Sequence, residues 1–259
     1  MRIVTWNVNG IRSAAKRGLR ERLDAIDADV LLLQEVRAEP EQVPQELFDD
    51  GGWHATWNPA ERKGYSGTAL LSRVKPKRVR IGLDGEPDDE GRIVLGELPG
   101  LLVVSAYLPS GTSGEHRQAV KDEWLPRFAG WIEPLRRKRT PVILGGDFNV
   151  AHTERDIFHW RSNRTTSGFL PHERAWIGGV LDAGWRDLIR EKHGDVDGPY
   201  SWWSMRGQAW ARDRGWRIDY LLANPAAAKR VRDCRIDRDA AAGISDHAPV
   251  IVDLDLAAK

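Results

Sequence analysis

Short apolar runs rich in β-branched residues alternate along this chain with segments of helical spacing. RIVTWNV (2–8), DVLLLQEV (29–36), WHATWN (53–58), GTALLSR (67–73), PVILGGDF (141–148), WRIDYLLA (216–223) and APVIVDLDL (248–256) predict strands. RIVLGEL (92–98) and LLVVSAYL (101–108) predict a hairpin, because they meet at Pro99-Gly100. Residues 12–27 carry Ala15, Leu19, Leu23 and Ile26 at helical spacing, and 115–138 and 172–184 predict two further helices. Pro126 and Pro134 are expected to bend or split the second helix, and Gly184 to end the third. A long polar connection occupies 152–171. Runs such as VLLL and PVILGG lack a polar face, so both of their faces should be covered. The class expected is α/β, with two packed mixed sheets and helices outside, in one domain over 1–259.

Composition narrows the class further. Hydrophobic residues make up 41% and charged residues 30%, as in an ordinary soluble globular protein. The single cysteine, Cys234, excludes an internal disulfide and a thiolate zinc cluster, and it points to a reducing, cytoplasmic setting. The start, MRIVTWNVNG, has too short an apolar run for a signal peptide, and no run could span a membrane, so no membrane partner is expected. No association motif stands out, which suggests a monomer. The net charge of +1 excludes a globally cationic coat. Basic residues nevertheless gather in 12–22, 73–80, 136–139 and 211–217, and acidic ones in 39–50 and 84–90. One basic face and one acidic back would suit a polyanion; solvated helix faces are the plain alternative. Of the twelve tryptophans most should be core, but Trp202, Trp203, Trp210 and Trp216 lie in polar, basic surroundings.

Polar residues end the apolar runs in a repeated way. Asn7 and Asn9 close the first strand, Gln34-Glu35 follows LLL, and Tyr107 follows VVSA. Asp147 and Asn149 follow VILGG, Asp219 interrupts WRIDYLL, and Asp246-His247 precedes APVIVDL. Each has a dull reading alone, as a turn former or a surface charge. Together they suggest one rim of strand ends. Their types fit one task. Glu35, Asn7 and Asp246 offer hard oxygen ligands of the kind magnesium accepts. Asp147 could orient or deprotonate a water, His247 could donate to a phosphate oxygen, and Asp219 could fix its tautomer. Tyr107 offers a phenol. This is equipment for hydrolysing a phosphate ester.

With these residues assembled, the chain closely resembles the exonuclease III family of DNA-repair nucleases. The blocks that carry the likeness run nearly end to end: WNVNGIR (6–12), LLLQEVR (31–37), GYSGTALLS (64–72), YLPSG (107–111), GGDFNVAH (145–152), SGFLPHERAW (167–176), YSWWSMRGQAWARDRGWRIDYLL (200–222) and ISDHAPV (244–250). The resemblance implies a four-layer α/β sandwich and magnesium-dependent phosphodiester hydrolysis on duplex DNA, with manganese as a substitute. It implies cleavage 5′ to abasic sites and processing of damaged or recessed 3′ ends. By position, Asn7, Glu35 and Asp246 match the metal site. Asp147 matches the residue that activates water, Asn149 the one that orients it, and Tyr107 the phosphate-contacting tyrosine. Asp219 and His247 match the carboxylate–imidazole pair. Trp202, Trp216 and Ile218 match a pocket for a flipped-out abasic sugar, and Arg206, Gln208 and Trp210 a loop that enters the duplex. Trp210 as a buried loop anchor is the bland alternative. The glycines before Asp147 are expected to let the backbone approach a phosphate. Ser110 and Thr166 stand where relatives often carry amides, which leaves open a protein that mainly processes 3′ ends. A catalytically silent binder and a small-molecule phosphatase are the competing classes.

Overall fold

The computed structural model describes residues 1–48, 52–83 and 88–256. The acidic runs 39–50 and 84–90 therefore lie partly outside the described residues. The strands among those described are β1 (Arg2–Asn7), β2 (Val30–Gln34), β3 (His54–Asn58), β4 (Thr68–Ser72), β5 (Arg78–Ile81) and β6 (Ile93–Leu98), then β7 (Leu101–Tyr107), β8 (Val142–Asp147), β9 (Arg186–Asp187), β10 (Asp219–Ala223), β11 (Val231–Ile236) and β12 (Val250–Leu254). The helices are α1 (Ile11–Lys16), α2 (Leu19–Ile26), α3 (Glu115–Arg136), α4 (Pro171–Asp182), α5 (Leu188–His193), α6 (Pro225–Ala228) and α7 (Arg238–Ala241).

Two six-stranded mixed sheets form, in the orders β11-β12-β1-β2-β4-β3 and β5-β6-β7-β8-β10-β9. Each has one parallel pair at its centre, β1 with β2 and β7 with β8, flanked by antiparallel neighbours. The period of two along each strand sorts its residues into layers. Ile3, Val30, Leu32, Val103, Ile143 and Leu221 meet in the seam between the sheets. Val4, Trp6, Leu31 and Leu33 face outward, in one cluster with residues of α1 and α2. Val104, Leu144 and Leu222 face the other way, in one cluster with residues of α3 and α4. The result is helix, sheet, sheet, helix: the expected four-layer sandwich.

The departures have local causes. The segment 12–27 is two helices, not one, because Gly18 takes a left-handed conformation between them. α3 runs unbroken through Pro126 and Pro134, so the expected split does not occur; Leu125, Phe128 and Ile132 dock it on the sheet. The strand expected from 216 begins only at Asp219. β5 and β11 were not anticipated: both are outermost strands, β5 with arginines alternating with apolar residues and β11 with Arg232, Asp233 and Arg235 among its six positions. The basic runs do not share one face. Arg78 and Arg80 pair along β6 toward the strand ends opposite Tyr107, whereas Arg217 is wholly buried.

Gly145 and Gly146 lie inside β8, so they do not form a turn against a phosphate; a Cβ at Gly145 would press on Leu32 and Thr5 of the facing sheet. A Cβ at Gly146 would sit 1.8 Å from the Ala106 carbonyl oxygen on the neighbouring strand. Gly146→Ala is expected to destabilise the fold by about 1–3 kcal/mol or more, read as a lower urea midpoint.

Candidate active site

The seam turns polar toward one end. Thr5 donates to Gln34 Oε1 at 3.2 Å, and Gln34 donates to Ser105 Oγ at 3.1 Å. One step further along the same inward faces come Asn7, Tyr107, Asp147 and Asp219, closing β1, β7 and β8 and opening β10. Glu35 follows β2 and His247 precedes β12. Strand ends with no shared sequence neighbourhood thus deliver their polar groups to one mouth.

The contacts are direct. Asn7 Nδ2 donates to Glu35 Oε1 at 3.0 Å and to Asp147 Oδ2 at 2.9 Å. The Tyr107 hydroxyl donates to Glu35 Oε1 at 2.8 Å. Asn149 N donates to Asp147 Oδ1 at 2.9 Å, and Asn149 Nδ2 to the Leu108 carbonyl at 2.9 Å. His247 Nδ1 pairs with Asp219 Oδ2 at 2.9 Å, and its Nε2 lies 3.9 Å from Asp147 Oδ2. Donor atoms of Glu35, Asp147 and His247 lie within 4.8 Å of one another. Asn9, Glu35, Arg37 and Asn149 all take positive φ, between 47° and 53°, a conformation that side chains resist.

Burial sets the charges. Loss of water, then the nearby Asp219 and Glu35, pushes the Asp147 carboxyl up to about 7, against the pull of His247. Burial alone would neutralise His247, but Asp219 and Asp147 outweigh it and hold the imidazolium up to about 10. Burial, then the carboxylates of Glu35 and Asp147, pushes the Tyr107 phenol well above its ordinary value, so it remains a donor. A charged imidazole cannot ligate a cation. The oxygens of Glu35 and Asp147 are then the donors of this group that suit a hard metal ion, with the Asn7 amide beside them. Asp219 Oδ1 is buried without a hydrogen-bond partner, a further oxygen open to a polar group. Asp246 lines the same cavity, outside that closest group; its oxygens accept from Asn9 Nδ2 at 2.7 Å and Trp202 Nε1 at 3.1 Å.

A cavity of about 400 Å³ opens over these groups, and Trp202, Trp216 and Ile218 form part of its wall. Trp202 meets Trp216 edge-on at 6.0 Å and His247 at 6.3 Å. Ser110 and Thr166 also line it. Arg206, Gln208 and Trp210 do not. Arg206 and Gln208 are exposed on a neighbouring loop, and half-buried Trp210 packs on Trp203 at 4.6 Å under Arg238 and lines a second cavity with Gln208. Sequence reasoning missed Ser201, which donates to Asp219 Oδ2 at 2.7 Å, and the cavity residues Arg37, Tyr65 and Arg117. Arg37 stands two residues after Glu35, and that proximity was the available signal.

A profile described as Endonuclease/Exonuclease/phosphatase family matches residues 4–247. An exodeoxyribonuclease of Bacillus subtilis (strain 168) is 37% identical over 252 residues, covering 96% of this chain and 98% of its own. The DNA repair nuclease APEX1 of Danio rerio is 34% identical over 253 residues, 96% of this chain and 81% of that one. Among solved structures, an AP endonuclease from Archaeoglobus fulgidus superposes with a TM-score of 0.89 at 30% identity, over 99% of this chain and 100% of its own. A 3′ phosphatase from Neisseria bound to product DNA hairpin does so at 0.90, also at 30% identity and with the same coverage.

Proposed function

The chain belongs to the endonuclease/exonuclease/phosphatase family, in its exodeoxyribonuclease and AP endonuclease branch, and from that premise we propose that it is a magnesium-dependent DNA-repair phosphodiesterase. It cleaves duplex DNA 5′ to abasic sites and processes 3′ ends. The observation that carries this reading is the meeting of Glu35, Asp147 and His247 within 4.8 Å at the seam mouth. Glu35, with the Asn7 amide and Asp246 in the same cavity, would hold the ion and leave Asp147 free to act on water. Bound there, magnesium supplies charge neutralisation at the phosphate.

The protein's own groups do the rest. Asp147, poised near 7, accepts the proton of the attacking water, and Asn149 holds its other oxygen in place. Tyr107 keeps its proton and acts as a donor, which favours Asp147 as the base. His247 presents a positive charge to the phosphate, backed by Asp219. Trp202, Trp216 and Ile218 give an abasic sugar an apolar wall, and Arg206 with Gln208 form the exposed loop that meets the duplex. Among the described residues no helix is long and apolar enough to cross a membrane.

Ser110 and Thr166 in the cavity wall favour a second reading, in which 3′-end processing dominates. A duplex panel carrying an abasic site, a 3′-phosphate or a recessed 3′ end, with and without magnesium, ranks the two. No cleavage of any duplex, or preference for a free sugar phosphate, would remove both.

DNA contact extends along a cavity of about 670 Å³ that adjoins the site through Asn9 and Arg37 and is lined by Arg12 and Lys16. Arg12→Ala and Lys16→Ala are each expected to weaken duplex binding and to reduce the salt slope by about 1, with turnover at saturation unchanged. Affinity measured across a salt series checks this.

A further inference from the structure

Resting on that reading, we infer that Lys121 and Glu173 are positioning residues, a buried ion pair that sets Asn149 and the loop 166–168 around the phosphate cavity. Lys121 projects from α3 and Glu173 from the first turn of α4; both side chains are wholly buried, with Nζ 2.6 Å from Oε1. The same ammonium donates to the Asn149 carbonyl at 2.8 Å. Glu173 Oε2 accepts the amides of Gly168 at 2.6 Å and Leu170 at 3.0 Å. Thr166, Ser167 and Gly168 line the cavity together with Asn149. One ion pair therefore ties the two walls of the cavity together.

A purely structural role explains the arrangement poorly. The other fully packed positions of α3 are Leu125, Phe128 and Ile132, and an apolar residue at 121 would join α3 to α4 without the cost of desolvating two charges. What a hydrocarbon cannot provide is a donor for the Asn149 carbonyl. Asn149 sits in a left-handed conformation, which needs outside support. Its amide holds Asp147 Oδ1, so the order of support runs from Glu173 through Lys121 and Asn149 to Asp147.

The test is steady-state kinetics in magnesium, on the duplex the wild type cleaves best, for Lys121→Met, Lys121→Met/Glu173→Gln and Ile132→Ala. The double variant keeps an oxygen for the loop amides and leaves no lone buried charge, so it decides if the single one does not fold. Both lysine variants are expected to lose roughly 10- to 100-fold in kcat, as a slightly misplaced group does, with KM within about threefold. Ile132→Ala loosens the same helix away from the site; it should melt earlier yet keep its kcat at 25 °C. Wild-type kcat in the double variant overturns the inference. So does a kcat loss in Ile132→Ala equal to that of the lysine variants, or a double variant that cannot fold, since either makes the pair a clamp between helices. An inactive wild type would instead strike the nuclease reading on which this rests.

Discussion

Turnover on an abasic duplex is expected to fall by roughly 10²–10³ or more when Asp147 is replaced by asparagine, with duplex affinity retained. The substitution preserves shape and one acceptor for the Asn149 amide, but it cannot take a proton. It also exposes the pH dependence. With its carboxyl raised to about 7, wild-type Asp147 is the basic form only above that pH, so the metal-free protein is poised just at neutrality. A cation held at Glu35 would favour the ionised form of the nearby Asp147, so in magnesium the acid limb of kcat should lie below 7. In Asp147→Asn that limb should vanish along with the rate. His247→Asn should lose a similar factor, because the phosphate then lacks the charge that Asp219 sustains. Near-normal turnover in either variant would withdraw that residue's role.

Arg217→Met is expected to cost about 3–5 kcal/mol in urea unfolding, the largest stability effect foreseen for a single substitution here. Arg217 is fully buried, and its Nε donates to Asp156 Oδ1 at 2.7 Å while Nη1 lies 2.8 Å from Asp187 Oδ2. Removing it leaves two carboxylates without their main counter-charge. Burial alone would raise the Asp156 carboxyl; Arg217 and Arg190 reverse this and hold it far below the usual carboxylate range. The sign of the pH effect follows. A carboxyl depressed in the folded state stabilises above its unfolded value, near 3.9, and that contribution fades as pH falls through the folded value. In the variant the same carboxyl is destabilising while ionised and is relieved by protonation. The gap between wild type and variant should therefore narrow between pH 7 and pH 4. A gap independent of pH would mean that lost packing over Tyr220, not charge, sets the cost.

Much of the layered fold was legible because β1, β2, β7, β8 and β12 are apolar on both faces, and a run with no wet side must be covered twice. The outermost strands β5 and β11 escaped notice because they have little to bury: their arginines read as loop. The site was legible through its strand ends, where carboxylates and amides break apolar runs for no packing reason. Ser201 was not, since a serine carries no charge and its role depends on Asp219, which is 18 positions away. Trp210 was read two ways, as a DNA contact or as a loop anchor, and it lines a cavity beside Gln208. Arg238 stacks on it and on Trp203, a contact 28 positions along the chain that its basic surroundings did not reveal.

The left-handed backbone at Asn9, Glu35, Arg37 and Asn149 has an evolutionary corollary. Such a backbone costs roughly 1–3 kcal/mol for a side chain like that of Glu35 or Arg37, and less for asparagine, and glycine would relieve part of it. Heat resistance and chemistry thus pull these four positions in opposite directions. A library selected for thermal survival alone should drift there first, accumulating glycines that toughen the protein while silencing it.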